Sequence, residues 1–398
     1  MEEEIDNEIN DVELIIDDGE EQDKYLKYDF LDTITDTVTW SSDWTLETIF
    51  NQMTRTNIEL SPGFQRRDAW NIEKKSRFIE SLYLGLPIPQ LVLAEDKNNR
   101  GRYIVVDGKQ RLTTIFQYIN NKFKPKDTIL SFANNLLYSE VQINNQQQSE
   151  YFLNQTVRSV ILKNWKSESL LYSIFYRLNS GSLPLSPQEL RAALKPGPVM
   201  EAIASYAESS PGIKLIFKKA KPDPRMKDVE LLLRYISFTL FADSYDGDFK
   251  GFLDKTCDYF NKDWDSRKNQ LFDSFKRFEE SVEQCQIIFN SNSFKRFTID
   301  TWETRFSRAV FDVQTYFINN DTLKDINIDM RGRIVSKFQY LCKSDSDFYR
   351  SITSNTNNMQ NTTTRFVVFG RAIEELTGRK NLIPQGIETI YEANYVRR

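Results

Sequence analysis

The most informative feature of this sequence is an absence, because none of its 398 residues is histidine. A chain without imidazole cannot form a Ser-His-Asp triad, a Cys-His pair, a His-ligated zinc site or a His-Asn-His nuclease centre. Any chemistry must therefore come from carboxylates, amides, hydroxyls, lysine and arginine, with a hard metal such as Mg²⁺ held by oxygen ligands.

Cysteine and long apolar runs are also scarce. Cys257, Cys285 and Cys342 lie far apart and show neither metal-type nor disulfide-type spacing, so we expect reduced thiols inside hydrophobic cores. No apolar run approaches the roughly 20 residues that cross a bilayer, and the acidic start of the chain differs from a secretory signal. We therefore expect a cytoplasmic protein with no membrane partner.

Charge is distributed unevenly along the chain. Residues 1–24 contain 12 acidic residues and one lysine, a net charge of −11, so the remaining residues carry +6 of the chain's total of −5. This composition predicts a disordered acidic tail. It favours a tail that aids solubility, and the alternative is a tail that imitates nucleic acid and covers a basic surface.

Hydropathy patterns predict a mixed region followed by a helical one. In the first 196 residues, apolar spacing predicts helices at 46–53, 72–84 and 112–119 and strands at 90–94, 103–106 and 156–162, with loops and short strands at 123–155. Ser186, Pro187 and Glu189 form a strong helix-start signal. Trp70 is predicted to be a packing anchor.

After residue 197 the pattern is helical almost throughout. Residues 229–241 are apolar enough for a buried helix, and residues 351–364 are predicted to be a mobile loop. One apolar seam has helical spacing and predicts bundle packing; it consists of Leu271, Phe275, Phe278, Val282, Cys285 and Phe289.

The clearest candidate site is the predicted strand–turn–helix around Asp107 and Gly108. A helix that begins directly after a glycine offers free N–H groups and the positive end of its dipole, which favours a phosphate group. Asp107 could hold Mg²⁺ or polarise a water molecule, and Gln110 could orient that water. The same turn supplies two cations and two hydroxyls, from Lys109, Arg111, Thr113 and Thr114. In the alternative, Asp107 only caps the helix and the two cations are solvated.

Further segments match a known family in order and spacing. They are Phe64-Gln65-Arg66 with Trp70, the Leu-Gly-Leu-Pro-Ile-Pro run at 84–89, the turn at 105–114, and the runs at 175–181 and 185–191. Together they resemble the N-terminal domain of GmrSD-type modification-dependent restriction proteins, the ParB/sulfiredoxin-like nucleotidase family with a DGQQR motif. The resemblance covers roughly residues 45–260.

The resemblance implies an α/β fold, mostly α by content. A ParB/sulfiredoxin-like nucleotide-binding domain is expected at 25–196 and an all-helical domain at 197–398. It further implies binding or hydrolysis of a nucleoside triphosphate with Mg²⁺, in defence against phage or foreign DNA. The implied catalytic residues are Asp107, which is also the metal ligand, Gln110 and Arg111. The implied nucleotide-binding residues are Gln65, Arg66, Gly108, Lys109, Thr113, Thr114, Arg177, Asn179, Glu189 and Arg191.

Two departures from the family pattern bear on activity. Lys109 replaces the first glutamine of the DGQQR motif, which exchanges a neutral amide for a donor-only cation. That exchange suits phosphate binding and leaves open whether the nucleotide is hydrolysed or only held. Without histidine, the His-Asn-His nuclease of many relatives is excluded. The helical half must then serve another purpose, or a separate protein must supply cleavage.

Two other functions stay open at this point. The first is a non-hydrolysing sensor of DNA modification that works with a separate nuclease, with basic clusters at 218–221, 225–227 and 295–296 as DNA contacts. The second is a Mg²⁺-dependent nuclease that uses Asp107 and Glu189. A structural role for Arg177, Glu189 and Arg191 as a network bracing two helices is also open, as is the oligomeric state.

Overall fold

The computed structural model describes residues 37–58, 70–97, 99–166, 170–171, 174, 186–218, 221–298, 300–319 and 328–395. The acidic tail and the motif residues Gln65, Arg66, Arg177 and Asn179 lie outside the described residues. Backbone contacts divide the chain into two compact units. We call Asp23–Glu208 with Lys221–Glu230 the sheet unit, and Ser209–Ala220 with Leu231–Arg398 the helical unit. The predicted boundary between residues 196 and 197 remains a prediction.

A mixed four-stranded sheet lies at the centre of the sheet unit. Its strands are β1 (Val38–Thr45), β2 (Leu91–Glu95), β3 (Tyr103–Asp107) and β4 (Thr156–Lys163). Their order is β1-β4-β2-β3. Strand β4 runs antiparallel to β1 and parallel to β2, and β2 runs antiparallel to β3. The two central strands are therefore β4 and β2, and β3 lies at an edge.

Helices cover both faces of this sheet. The helices of the sheet unit are α1 (Leu46–Thr54), α2 (Ile72–Tyr83), α3 (Lys109–Ile119), α4 (Tyr138–Asn144), α5 (Gln146–Asn154), α6 (Pro187–Leu194) and α7 (Pro198–Ser209). Successive strand residues point to opposite faces. Leu91 and Leu93 accordingly join one core with α1 to α5, while Val92 and Ala94 join a second core with Leu190 of α6. Strand β2 is therefore buried on both faces, and the combination of this sheet with its helices confirms the predicted α/β class.

The predicted helix and strand positions in the sheet unit are mostly confirmed, one prediction is wrong and one strand was not predicted. Residues 138–154 form helices rather than strands and loops, because the buried rings of Tyr138 and Phe152 anchor two otherwise polar segments. Strand β1 was missed. It is a polar edge strand with Trp40 and Val38 largely exposed, so it lacks the alternation of apolar residues that reveals a half-buried strand.

The helical unit contains a bundle and one hairpin. Its helices are α8 (Pro211–Phe217), α9 (Lys227–Phe241, whose first turn groups with the sheet unit), α10 (Phe249–Lys262), α11 (Trp264–Phe289), α12 (Arg308–Phe317), α13 (Ile328–Ser344), α14 (Ser346–Thr353), α15 (Met359–Thr377) and α16 (Gln385–Tyr395). The hairpin is β5 (Lys295–Thr298) with β6 (Thr301–Phe306). All six residues of the predicted apolar seam on α11 are buried, as bundle packing requires.

Two predictions for this unit are wrong. The predicted loop at 351–364 ends one helix and begins another, because Asn358 caps α15 and Thr362, Thr363 and Thr364 are buried within it. Threonine hydroxyls can bond to nearby backbone carbonyls, and Thr362 does so with Thr356. The hairpin was missed because strands of four and six residues carry little periodic signal.

The three cysteines are free thiols in buried positions, as predicted. Burial raises the pKa of Cys342 to about 12 and raises the pKa of Cys285 as well. Within the described ranges, no helix has the length and apolar character needed to cross a bilayer.

A charged cluster lies in the core of the helical unit. Arg234 on α9 forms two bonds to the Asp312 carboxylate, at 3.1 Å from Nε and 2.6 Å from Nη2, and Arg365 donates to the same carboxylate at 2.9 Å. All three side chains are fully buried. Burial lowers the pKa of Arg365, and the charge of Asp312 opposes that shift. We call these three residues the buried arginine cluster.

Candidate functional site

The candidate site begins at the end of strand β3, where the chain turns into helix α3. Val92 pairs with Asp107 and Leu93 with Val105, so β3 carries one extra residue just before the turn. Bulges of this kind bend a strand and redirect the side chain that follows. Gly108 then adopts φ +101°, and a Cβ there would lie 2.3 Å from the Leu91 side chain. Only glycine fits this turn, because the backbone conformation and the close approach both exclude a side chain.

Asp107 and Arg111 form an ion pair across the first turn of α3. Arg111 Nη2 donates to Asp107 Oδ2 at 2.8 Å and to the Gln90 carbonyl at 3.1 Å. Gln90 directly follows the Leu-Gly-Leu-Pro-Ile-Pro run, so this arginine joins two of the motifs found in the sequence. The Arg111 side chain is 10% exposed and that of Asp107 is 25% exposed. The pair therefore lies at the edge of the core, with the carboxylate partly open to solvent.

Lys109 and Glu189 form a second ion pair, which joins α3 to α6. Lys109 Nζ lies 2.7 Å from Glu189 Oε1, and the two side chains are only 6% and 4% exposed. The other carboxylate oxygen accepts from the Ser186 N–H at 2.7 Å, which completes a capping box at the predicted start of α6. The Ser186 hydroxyl donates to the Arg225 carbonyl at 2.6 Å. Two motifs 80 residues apart in sequence are thus brought together.

Two polar atoms beside these pairs are buried without a hydrogen-bond partner among the described residues. They are Gln110 Oε1, an acceptor, and Arg111 Nε, a donor. Leaving such atoms unpaired costs free energy, so unpaired atoms in a native protein call for an explanation, such as an absent water or ligand. Both atoms belong to residues that sequence reasoning selected. Their position on the first turn of a helix suits a polar ligand.

The other predicted site residues that the structure describes have mainly internal contacts. Thr114 is fully buried and its hydroxyl donates to the Gln110 carbonyl at 2.7 Å, while Thr113 is 3% exposed. Arg191 is buried and donates to Gln188 at 2.6 Å. These side chains support α3 and α6, so the part of the site open to a ligand narrows to Asp107, Gly108, Gln110 and Arg111.

Metal ligands are few at this site. Within the described part of the chain, no three acidic or cysteine side chains converge as a metal-binding group. Mg²⁺ in nucleotide sites commonly takes one or two carboxylates together with substrate phosphates. The partly exposed carboxylate of Asp107 fits the role of a single protein ligand, whereas Glu189 is already paired with Lys109.

Sequence reasoning missed the contributions of Gln90 and Leu91. Gln90 acts through its backbone carbonyl and Leu91 through the space that its side chain occupies against Gly108. Neither role requires a particular residue type, so neither can be recognised from a sequence motif. Trp70, by contrast, is the packing anchor that the sequence predicted, with its ring 5.4 Å from that of Phe78 in an edge-to-face contact.

One comparison of the sequence with known protein families gives a match. The model of the family described as "GmrSD restriction endonuclease, N-terminal domain" matches residues 46–194, just over a third of the chain. The chain therefore carries a GmrSD-type N-terminal domain over these residues, as the sequence motifs predicted. The matched range includes the whole sheet except the first strand, and it contains both ion pairs. No curated protein and no solved structure matches the chain.

Proposed function

We propose that this protein is a component of a bacterial restriction or anti-phage system that binds a nucleoside triphosphate and hydrolyses it in response to foreign or modified DNA. The domain matched over residues 46–194 supports the role in restriction, since that family is described as part of a restriction endonuclease. The observation that carries the nucleotide proposal is the pair of unpartnered polar atoms, Gln110 Oε1 and Arg111 Nε, beside a helix N-terminus.

The start of α3 supplies the phosphate contacts. The first N–H groups of a helix have no acceptor within that helix and point along the positive end of its dipole. Gly108 precedes the helix and provides no side-chain cap for its first N–H groups, the arrangement found in turns that bind phosphate. Arg111 adds a guanidinium whose Nε has no partner among the described residues and whose Nη2 is fixed by Asp107 and Gln90.

Asp107 and Gln110 supply the groups needed for hydrolysis. Mg²⁺, when bound, would supply positive charge against the negative charge that develops during phosphoryl transfer. Asp107 is the residue that would hold it. Gln110 has an unpartnered amide oxygen that can accept a hydrogen bond from an attacking water. Arg111 would stabilise negative charge on the transferred group.

Phosphate release tests this proposal. The purified full chain is incubated with each nucleoside triphosphate and Mg²⁺, with and without DNA, and DNA cleavage is followed in parallel. We expect hydrolysis by the wild type and its loss in Asp107→Ala and Arg111→Ala. Arg77→Ala is a matched control, because Arg77 lies in the same unit with a 75% exposed side chain. No nucleotide binding by the wild type, or equal turnover in all variants, would contradict the proposal.

A sensor of DNA modification that does not hydrolyse nucleotide is the second candidate. Two lysines from the predicted basic clusters, Lys218 and Lys295, favour it. Burial lowers the pKa of Lys295, and the charge of Lys218 lowers it further. Arg296 does not add to this patch, because it is buried and pairs with Glu303 at 3.1 Å. Binding of DNA through such lysines should weaken steeply with added salt.

A nuclease based on Asp107 and Glu189 has less support. Each carboxylate is already paired with a cation, and the side chain of Glu189 is 4% exposed. The cleavage assay described above also tests this alternative. Mg²⁺-dependent cutting of DNA that is lost in both Asp107→Ala and Glu189→Gln would support it.

A further inference from the structure

Lys109 occupies the position where a phosphate-binding cation is expected, yet its ammonium group is directed into the protein. It lies 2.7 Å from Glu189 Oε1 in a position where both side chains are at least nine-tenths buried. Both oxygens of Glu189 have donors, since Oε2 accepts from the Ser186 N–H. A carboxylate held at both oxygens has a fixed orientation, so it fixes Lys109 in turn.

Each of the two ion pairs is neutral by itself. Asp107 with Arg111 and Lys109 with Glu189 contribute two negative and two positive charges. Arg111 keeps an Nε that has no partner among the described residues, while the charge of Lys109 is neutralised by Glu189 inside the core. The cation available to a phosphate from this turn is therefore Arg111 rather than Lys109.

We propose that Glu189 is a positioning residue that acts through Lys109, and that Lys109 is not a phosphate ligand. Lys109 is the first residue of α3, so its anchoring to the start of α6 sets where Asp107, Gln110 and Arg111 lie around the nucleotide. This inference rests on the proposed nucleotide function. It deepens that function by separating the residue that touches phosphate from the pair that holds the turn in place.

An ion pair between Lys109 and Glu189 predicts a different result from substitution than a direct contact of Lys109 with phosphate. Removing either partner leaves the other charge buried without compensation, which disturbs the turn. Replacing both with neutral glutamine removes the charge from both sides and allows an amide–amide hydrogen bond in its place. The double variant should therefore be closer to the wild type than either single variant.

The experiment compares the full-length wild type with Lys109→Gln, Glu189→Gln and the double variant. Equilibrium binding of a nucleoside triphosphate with Mg²⁺, kcat, KM and the thermal unfolding midpoint are measured for each. We expect both single variants to lose up to about a hundredfold in kcat/KM, the scale that displaced catalytic groups produce. We expect the double variant to recover to within about tenfold of the wild type, a difference of about 1.4 kcal/mol. Lys122→Gln, an exposed lysine in the same unit, should match the wild type.

Recovery in the double variant separates positioning from direct contact. If Lys109 binds phosphate, the double variant will bind nucleotide as weakly as Lys109→Gln, and the inference is overturned. Recovery of the unfolding midpoint without recovery of kcat/KM would show a purely structural pair, which also overturns it. Failure of the proposed function gives a different result, because the wild type itself would then bind no nucleotide.

Discussion

Two sites in this molecule use the same ion-pair chemistry in different surroundings. In the helical unit, Arg234, Asp312 and Arg365 are fully buried, and the two arginines converge on one carboxylate. In the sheet unit, Asp107 and Arg111 form an ion pair at the start of a helix with side chains that are 25% and 10% exposed. The first set is closed to solvent, whereas the second has an accessible carboxylate.

The difference shows how a structural charge network can be distinguished from a ligand site. Buried charges persist when they are paired and hydrogen-bonded, and such pairing does not by itself indicate function. Unpartnered atoms carry more information when they lie beside an opening to solvent. Arg365 Nε lacks a partner inside a closed core, while Arg111 Nε lacks one next to the partly exposed Asp107. The second atom, beside a partly exposed carboxylate, is therefore the better candidate for a ligand contact.

The largest effect on stability is expected in the buried arginine cluster. Asp312→Ala removes the carboxylate that accepts from both Arg234 and Arg365 in the core. Breaking a buried pair in this way costs about 3–5 kcal/mol in the free energy of unfolding. Urea titration of the full chain measures the change. A loss below about 1 kcal/mol would mean that the core relaxes and admits water.

A smaller loss of stability is expected from Gly108→Ala. The new side chain would be strained at φ +101° and would meet the fully buried Leu91 at 2.3 Å. Strain of this kind costs about 1–3 kcal/mol. Gly101→Ala is a matched control, since Gly101 has φ +84° but no neighbouring atom within 4 Å. Equal losses in the two variants would show that the contact with Leu91 has no effect.

Gln110→Ala should separate stability from function. The substitution removes a buried acceptor that has no partner among the described residues, so stability should stay within about 0.5 kcal/mol or rise slightly. Hydrolysis should fall, because the group that orients water is lost. Urea titration and phosphate release measure the two effects. A clear loss of stability in Gln110→Ala together with wild-type hydrolysis would show that Gln110 is a structural residue and does not orient water.

The smallest effect is expected at an exposed ion pair of the sheet unit. Arg77 and Glu73 lie 2.6 Å apart on α2 with side chains that are 75% and 61% exposed. Pairs in this environment contribute less than about 1 kcal/mol, and salt screens them further. Arg77→Ala should therefore leave the urea midpoint nearly unchanged. A shift as large as that of Asp312→Ala would show that exposure does not distinguish these pairs.

The sequence predicted much of the fold because its main elements carry strong local signals. The start of α6 was identified from Ser186, Pro187 and Glu189, and the buried face of α11 from its apolar spacing. Strand β1 and the hairpin β5–β6 lacked such signals, since one is exposed and the other is short. The threonine-rich start of α15 appeared loop-like because serine, threonine and asparagine are typical of loops. In the structure, the hydroxyls of Thr362 and Thr363 bond to nearby backbone carbonyls.

The sequence pointed to four residues of the candidate site, but it did not predict which of them form ion pairs with each other. The motifs selected Asp107, Lys109, Arg111 and Glu189, and the structure brings all four together. Which cation meets which carboxylate depends on contacts between segments 80 residues apart in sequence. Spacing along the chain does not encode such contacts. The assignment of Lys109 to the core rather than to a phosphate therefore required the structure.

The most direct test of the account is equilibrium binding of nucleoside triphosphates by the full chain with Mg²⁺, comparing the wild type with Arg111→Lys. Lysine keeps the positive charge but lacks the planar guanidinium, and with it the Nε that has no partner among the described residues. The account predicts that the wild type binds a nucleotide and that Arg111→Lys binds it about tenfold or more weakly, with nearly unchanged stability. Equal affinity in the two proteins, or no binding by the wild type, would contradict it.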